Sequence, residues 1–279
     1  ALGETLTERA GRVNLGLEGT LVLGAMSAFA VAYLSGSPWL GVLAAGIAGT
    51  GLGALHALIC NLPRVNDIAV GIALFVFGTG LAFYLGKDYV QPRAEMLPGL
   101  PLGAWSDIPA VQSALEISPL FLIGVALAFA LRWGLYATRW GLLLRMAGEN
   151  AEAGRALGLS VGRIRLAATA AGGFLSGVGG AFLSLYYPGN WNEGLSSGQG
   201  LMAVALVIFA RWDPVRCFWA SLVFGGATAL GPALQTVGIT SGYYLFNAAP
   251  YVVTLVLLIW ASNPRTALSG APRELSISR

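Results

Sequence analysis

Residues 145–165 read Arg-Met-Ala-Gly-Glu-Asn-Ala-Glu-Ala-Gly-Arg-Ala-Leu-Gly-Leu-Ser-Val-Gly-Arg-Ile-Arg and separate two long apolar runs, at 118–136 and 166–187. Asn150 predicts the start of a helix, because its short side chain can accept a hydrogen bond from an unpaired N–H of the first turn. Gly158 suits the position after a helix, where a positive φ is needed. The stretch therefore predicts a short helix, about 12 Å long at 1.5 Å per residue, in a loop between two membrane spans.

One face of this predicted helix is apolar. Ala153, Ala156 and Leu157 fall at positions i, i+3 and i+4, which share a helix face. Glu152 and Arg155 lie beside them at i, i+3 spacing, which favours an ion pair on a helix surface. An ordered helix in a loop of a membrane protein is useful only where a partner docks on it. The alternative is an amphipathic loop that lies at the membrane interface.

The composition places the chain in a membrane. Charged residues make up 10% of the sequence, against about 25% in soluble domains, and the mean hydropathy is +0.71. A formal net charge of +3 gives no support to nucleic-acid binding. The single histidine, His56, and the two cysteines, Cys60 and Cys217, lie in or beside apolar runs. We interpret them as packed side chains and expect no catalytic residue and no metal site.

The apolar runs predict an all-α polytopic membrane helix bundle of about eight membrane segments. The runs long enough to cross about 30 Å of hydrocarbon are 15–34, 39–60, 68–86, 118–136, 166–187 and 243–262. Two further runs, 199–210 and 217–231, are short for a crossing, and Gly231-Pro232 is expected to break the second, so we interpret both as half-helices. Residues 1–262 therefore form one predicted transmembrane domain, followed by a polar tail at 263–279.

Small residues predict where these helices pack closely. Gly41, Ala45, Gly49, Gly53 and Ala57 repeat at four-residue spacing, which keeps them nearly on one face of a helix that a neighbour can approach. The run at 166–187 has pairs at the same spacing, Gly173 with Gly177 and Ser176 with Gly180. We expect this second run to be a helix buried among its neighbours.

Basic residues predict the orientation in the membrane. The connections between successive spans are placed on alternate sides of the membrane. Every basic residue except Lys87 and Arg93 then falls on the same side as the 145–165 loop. The positive-inside rule makes that side cytoplasmic. The connections at 87–117 and 188–198 are then expected on the outside.

The sequence lacks the groups that catalysis or ion coupling would need. It has no Gly-x-x-x-x-Gly-Lys-Ser/Thr phosphate loop, so we do not expect the chain to bind ATP by itself. The charged or histidine residues within the apolar runs are Glu18, His56 and Arg132, and all three lie near predicted span ends. We interpret Glu18 as a first-turn carboxylate at a positive helix end, with a substrate contact as the alternative. Since a secondary transporter needs a charged group at mid-membrane, the sequence favours a pathway powered by another subunit.

Four blocks of the sequence resemble one family of membrane proteins. Gly148-Glu149-Asn150-Ala151-Glu152-Ala153 and Ala156-Leu157-Gly158-Leu159-Ser160-Val161 are similar to the cytoplasmic coupling segment of ABC importer permeases. The other blocks, 7–19, 64–67 and 207–214, resemble further motifs of that family in the expected order. The branch concerned serves branched-chain amino acids, ribose-type sugars and nucleosides, and residues 7–19 look closest to its nucleoside and sugar members.

The resemblance implies a permease subunit whose coupling segment, 145–165, contains a helix that sits in a groove of the ATP-hydrolysing subunit. The residues expected at that contact are Glu149, Asn150, Glu152, Ala153, Arg155, Ala156, Leu157 and Gly158. The resemblance also implies a second permease copy or paralogue, a periplasmic or lipid-anchored substrate-binding protein and membrane lipid as partners, and no nucleic acid. ATP and Mg would belong to the partner ATPase, with no cofactor in this chain.

The implied location is the bacterial inner membrane, with the C-terminus in the cytoplasm. Family members usually carry a further apolar helix ahead of the block at 7–19, so this sequence is expected to lack one span. A small neutral solute is the expected cargo, a nucleoside first and a ribose-type sugar as the alternative, because no fixed mid-membrane charge is evident. An ion-coupled secondary transporter is the second alternative.

Two groups of residues are expected to contact the cargo or the binding protein. The translocation pathway is expected to use aromatic and uncharged polar groups, Phe75, Phe77, Thr79, Tyr244 and Asn247, together with Phe246. An apolar cavity with a few polar groups suits a neutral ring, although phenylalanine at helical spacing more often faces the core or lipid. The binding protein is expected to contact the polar residues Asn190, Trp191, Asn192 and Glu193.

Overall fold

A computed structural model gives the fold of the chain. It describes residues 1–90, 92–108, 111–112, 115–186, 189–236, 248–253, 255–256, 259 and 270–277. Regular structure in these residues is helical apart from one two-residue antiparallel strand pair, in which Leu100 lies opposite Ile117 and Pro101 opposite Glu116. The predicted all-α membrane bundle is confirmed.

The helices are numbered in chain order. They are α1 (Leu2–Arg9), α2 (Leu17–Ser35), α3 (Pro38–Cys60), α4 (Asp67–Gly86), α5 (Pro119–Ala137), α6 (Arg139–Glu149), α7 (Ala151–Ala156), α8 (Val161–Leu185), α9 (Gln199–Phe209), α10 (Pro214–Thr236) and α11 (Glu274–Ile277). Among the described residues, six helices are long and apolar enough to cross a membrane, namely α2, α3, α4, α5, α8 and α10. A 3-10 turn at Lys87–Tyr89 follows α4.

One of the two predicted half-helices is confirmed and the other is wrong. Helix α9 has 11 residues and is too short for a full crossing. Helix α10 has 23 residues and continues through Gly231-Pro232. It begins ahead of the apolar run because the Asp213 carboxylate accepts hydrogen bonds from the N–H groups of Val215 and Arg216 at 3.1 and 3.0 Å. The predicted span at 243–262 lies largely outside the described residues.

The core of the bundle is made by α2, α3 and α8, which pack on one another. Both small-residue faces lie at a close helix contact, as predicted, and the structure shows that they meet each other. A Cβ built on Gly49 would collide with the Gly173 carbonyl oxygen, and one on Gly177 would collide with the Ala45 carbonyl oxygen. The backbones of the two helices are therefore in direct contact, which only small residues allow.

Helix α5 and helix α10 form a separate packed pair beside this core. The Arg132 guanidinium on α5 forms an ion pair with the Asp213 carboxylate at the start of α10. Further along, the rings of Phe121 and Phe218 lie 6.3 Å apart between centroids. The pair is thus joined by an ion pair at one point and aromatic contact at another.

Helix α9 begins inside the bundle. The start of α2 packs against the middle of α4, since a Cβ built on Gly19 would lie 2.7 Å from the carbonyl oxygens of Leu74 and Phe75. These residues are two turns into α4, so the start of α2 lies about 11 Å along α4 from its first residue. A Cβ built on Gly200, in the first turn of α9, would lie 2.5 Å from the Glu18 Cα. The first turns of α2 and α9 therefore meet at this interior level.

Three arginines, Arg9, Arg12 and Arg165, make contacts at and beside the loop at 10–16, and we call this part of the bundle the arginine end. Arg12 Nη1 lies 2.7 Å from the Asp67 carboxylate, which joins the loop to the start of α4. Arg9 donates to the Trp212 carbonyl oxygen at 2.9 Å, just after α9. Helix α9 therefore runs from the interior to the arginine end.

Candidate functional site

The first candidate site is the coupling segment, 145–165. The Asn150 side chain accepts a hydrogen bond from the Ala153 N–H at 2.9 Å, and α7 starts at the next residue. Gly158, shortly after the helix, has φ of +79°. The predicted short helix, its N-cap and its glycine stop are confirmed.

The outer face of this helix is open. Ala151 and Gly154 are buried, and Ala151 packs with Ala147 and Val161. Glu149, Asn150, Glu152, Ala153, Arg155, Ala156 and Gly158 are exposed. Leu157 is 69% exposed, an apolar side chain at the tip of a polar loop. The expected ion pair between Glu152 and Arg155 is not formed, and both side chains are exposed.

The second candidate site surrounds the Glu18 carboxylate, where α9 begins. The carboxylate accepts hydrogen bonds from the Ser196 hydroxyl at 2.5 Å, the Gly198 N–H at 3.1 Å and the Gly200 N–H at 2.5 Å. Ser197 and Gly198 have positive φ, 46° and 82°, a turn that directs successive N–H groups to one point. Glu18 is only 4% exposed, so its charge is balanced by these donors and by the positive end of α9.

This arrangement changes the interpretation of Glu18. It does lie in a first helical turn at a positive helix end, as expected, but the helix that it caps is α9 rather than its own. It lies at the start of the α2 span, as expected, and that start is set inside the bundle, about two turns along α4. Helices broken inside the membrane are where transporters commonly bind their cargo. Asn14, whose side chain accepts from the Gly16 N–H at 2.9 Å, borders the same region.

A buried carboxyl pair was missed by the sequence reasoning. Glu4 and Glu8 lie one turn apart on α1 and are 0% and 1% exposed. Glu4 accepts from the Asn14 N–H at 2.9 Å, and Glu8 accepts from the Trp212 indole N–H. Burial raises the pKa of Glu8 to about 8, and burial, followed by the Glu8 charge, raises the pKa of Glu4. The four-residue spacing was the only signal in the sequence.

The residues expected in the translocation pathway are only partly brought together. Phe75 is half-buried, with its backbone against Gly19 at the level of the Glu18 site. Thr79, one turn further along α4, is half-buried and its hydroxyl is buried without a hydrogen-bond partner. Phe77 is 52% exposed and points away from the bundle. The remaining expected residues, Tyr244, Phe246 and Asn247, lie outside the described part of the chain.

The loop expected to contact a binding protein divides into an anchor and an exposed part. Trp191 is 1% exposed and its indole N–H donates to the Gly86 carbonyl oxygen at 2.9 Å. Its ring therefore fixes the loop to the end of α4 and is not available at the surface. Asn190 and Glu193 are exposed, and the Asn192 amide donates to the Asn190 side chain at 3.1 Å.

No group of three or more potential metal ligands occurs among the residues that the structure describes. Cys60 and Cys217 are buried free thiols, and His56 is 1% exposed. Each occupies a packed position on a long helix, as the sequence indicated.

Comparison with known proteins gives a consistent result. Residues 1–262 match the family described as branched-chain amino acid transport system, permease component. A putative glucose ABC transporter permease of Haloferax volcanii is 36% identical over 247 residues, which is 85% of this chain and 74% of that protein. A nucleoside ABC transporter permease of Lactococcus lactis subsp. cremoris is 30% identical, and a guanosine ABC transporter permease of Bacillus subtilis is 28% identical, each over 92% of this chain and 86% of the relative. No solved structure matches.

Proposed function

Since this chain belongs to the permease components of the branched-chain amino acid transport family, we propose that it forms the translocation pathway of an ATP-driven importer for a nucleoside. Permease components of ABC transporters are transport subunits, and separate ATPase subunits hydrolyse ATP. The chain would therefore act with ATP and Mg bound to its partner.

The observation that carries this proposal is the open face of α7. The helix is held by the Asn150 cap and by its buried residues, Ala151 and Gly154, so it is ordered without covering its outer face. Leu157 at 69% exposure supplies an apolar contact, with the exposed Glu152 and Arg155 as a polar rim. A buried apolar centre with a polar rim is typical of protein interfaces. The partner that fits is the groove of an ATPase subunit.

The remaining partners follow from the same proposal. A second permease, identical or paralogous, completes the pathway, and an extracytoplasmic substrate-binding protein, periplasmic or lipid-anchored, delivers the cargo near Asn190, Asn192 and Glu193. The complex lies in the bacterial inner membrane, surrounded by lipid. The arginine end and the C-terminus face the cytoplasm, because that side collects nearly all basic residues.

Transport would proceed by alternating access. Closure of the ATPase pair on ATP brings the two docked coupling helices together. The coupling helix transmits this movement to α8, to which it is joined through Ala151 and Val161. ATP can shift the equilibrium between the two access states only by the difference in the free energy of docking between those states.

A neutral cargo suits the Glu18 site. The positive end of α9, which would otherwise attract an anion, is already occupied by the Glu18 carboxylate. The nucleoside and guanosine permeases among the relatives favour a nucleoside. The glucose permease relative, at 36% identity, favours a simple sugar as the second candidate.

Docking is tested with Ala156→Glu, which places a charge on the exposed face of α7. We expect the ATPase subunit to be lost when the permease is purified from cells that co-express both. Ala104→Glu, at an exposed position in the 87–117 connection, is the matched control and should retain the ATPase. Equal retention in both variants would refute the docking role.

The cargo is tested by equilibrium binding to the partner substrate-binding protein. We expect saturable binding of guanosine or another nucleoside and none of leucine. Binding of glucose or ribose without nucleosides would select the sugar alternative. Binding of leucine or of a phosphate ester alone would reject the neutral cargo and leave the permease assignment unaffected.

A further inference from the structure

We propose that Glu274 in the C-terminal tail is the positioning residue that fixes the coupling helix against the bundle. This inference rests on the proposed coupling role of α7. It adds the tail to the transmission path, which the sequence indicated only as a polar extension.

The Glu274 carboxylate joins two elements with its two oxygens. Oε1 accepts a hydrogen bond from the Ala151 N–H, the first N–H of α7, at 3.0 Å. Oε2 lies 3.0 Å from Arg165 Nη2 on α8. Side-chain exposure is 21% for Glu274 and 7% for Arg165, so the ion pair is largely screened from solvent. Because hydrogen bonds to ionised groups are stronger than neutral ones, this carboxylate is a firm link between α7 and α8.

The Arg165 side of the link cannot move freely. Its guanidinium also donates to the Ala10 carbonyl oxygen at 3.1 Å and to the Ala147 carbonyl oxygen at 3.0 Å. The Glu274 Cβ is also close to the backbone of the 10–16 loop, since a Cβ built on Gly11 would lie 3.0 Å from it. Glu274 is therefore held by contacts that do not involve α7.

The tail is also attached near the end of α9. Leu275, next to Glu274, packs on the apolar cluster of Val207, Ala210, Trp212 and Cys217. The Gly270 carbonyl oxygen accepts from Arg9 Nη1 at 3.2 Å. The tail thus connects the start of α7 to the end of α9. The other end of α9, its N-terminus, is capped by Glu18. A displacement of α7 reaches this region through Glu274 as well as through α8.

The competing explanation is that Glu274 only neutralises a buried arginine. An ion pair with that role would affect the stability of the whole bundle and leave α7 as ordered as before. The positioning role makes a local prediction instead. Loss of the carboxylate frees the first N–H of α7. We then expect α7 to open more readily than in wild type, while opening of the rest of the bundle changes less.

The experiment measures hydrogen exchange of the peptide spanning 150–158 in the full-length permease in detergent. We expect exchange about tenfold faster in Glu274→Ala, which loses a charge-assisted hydrogen bond. Glu274→Gln keeps an acceptor for Ala151 but loses the ion pair, and should fall between Glu274→Ala and wild type. Glu95→Gln removes an exposed carboxylate from the 87–117 connection and should match wild type. Exchange of 150–158 that is equal in Glu274→Ala and Glu95→Gln would overturn the inference.

A second measurement connects the result to coupling. With the ATPase subunit co-expressed, Glu274→Ala should keep the ATPase bound while substrate-stimulated ATP hydrolysis falls severalfold. Faster exchange with fully retained stimulation would refute the positioning role. Failure of the wild-type permease to retain any ATPase would refute the proposed function instead, and the exchange comparison would then decide the inference alone.

Discussion

The Glu18 carboxylate on α2 accepts a hydrogen bond from the Gly200 N–H on α9 at 2.5 Å. The N-terminus of one helix is therefore closed by a side chain that lies far from it in the sequence. A helix end left inside a membrane without partners for its N–H groups would be strongly unfavourable. Glu18 makes it possible for α9 to begin at that depth.

The first prediction concerns this cap. Glu18→Ala leaves the buried N–H group of Gly200 and the half-buried N–H group of Gly198 without their acceptor, at a cost of about 1–3 kcal/mol for a buried unpaired group. We expect a lower thermal unfolding midpoint in detergent and loss of uptake. Glu18→Gln, which keeps one acceptor oxygen, should be intermediate. Glu95→Ala, at an exposed site, controls for loss of a carboxylate, and an equal midpoint in the two alanine variants would contradict the capping role.

The second prediction concerns the contact between α3 and α8. Gly49→Ala places a Cβ against the Gly173 carbonyl oxygen, while a Cβ at Gly51 on the same helix meets nothing within 4 Å. We expect Gly49→Ala to lower the yield of folded monodisperse protein and the unfolding midpoint. Gly51→Ala should be neutral or stabilising by up to about 1 kcal/mol, from helix propensity. Equal behaviour of the two variants would show that the backbones do not touch.

The third prediction concerns orientation. Both native cysteines are buried, and Cys60→Ala with Cys217→Ala gives a background without thiols. In that background Asp107→Cys and Ala153→Cys place single thiols at exposed positions. We expect an impermeant maleimide to label only Asp107→Cys in intact cells and both variants after lysis. Labelling of Ala153→Cys alone in intact cells would reverse the topology.

The fourth prediction is a dependence of stability on pH. Burial raises the pKa of Glu8 from its ordinary value of 4.5 to about 8, so the folded protein keeps a proton that the unfolded chain releases. Stability from this group is therefore fully present below pH 4.5 and is lost as the pH rises to about 8.

Glu8→Gln tests this dependence, because glutamine cannot ionise and can still accept from the Trp212 indole. The unfolding midpoint of wild type should fall with rising pH more steeply than that of Glu8→Gln. Parallel pH profiles of the two proteins would show that the carboxyl does not titrate in this range.

Local and periodic features could be predicted from the sequence. The Asn150 cap and the Gly158 stop each depend on their own neighbours within about one turn. The close approach at Gly49 depends on a repeat along a single helix. Asn66 caps α4 in the same local way, since its side chain accepts from the N–H groups of Ile68 and Ala69 at 2.9 and 3.0 Å. In each of these cases the physical cause lies within a short stretch of chain.

Features that need distant partners could not be predicted. The sequence identifies Glu18 as an unusual residue in an apolar run, but only the fold brings the turn at 196–200 to it. Glu274 lies in a tail without periodicity, and Arg165 could equally have been a solvent-exposed charge at a span end. The length of α10 was misjudged at both ends: hydropathy does not register Asp213, whose side chain starts the helix ahead of its apolar residues, and the helix continues through Gly231-Pro232, which was expected to break it.

The backbones of α3 and α8 interlock where the two helices meet. Carbonyl groups of each helix occupy notches left by missing Cβ atoms in the other, at Gly49 and at Gly177. Neither helix can slide along the other without forcing a carbonyl oxygen into a Cβ atom. The two helices are therefore expected to move as one rigid piece, so a change of shape in the bundle has to be taken up outside the contact between α3 and α8.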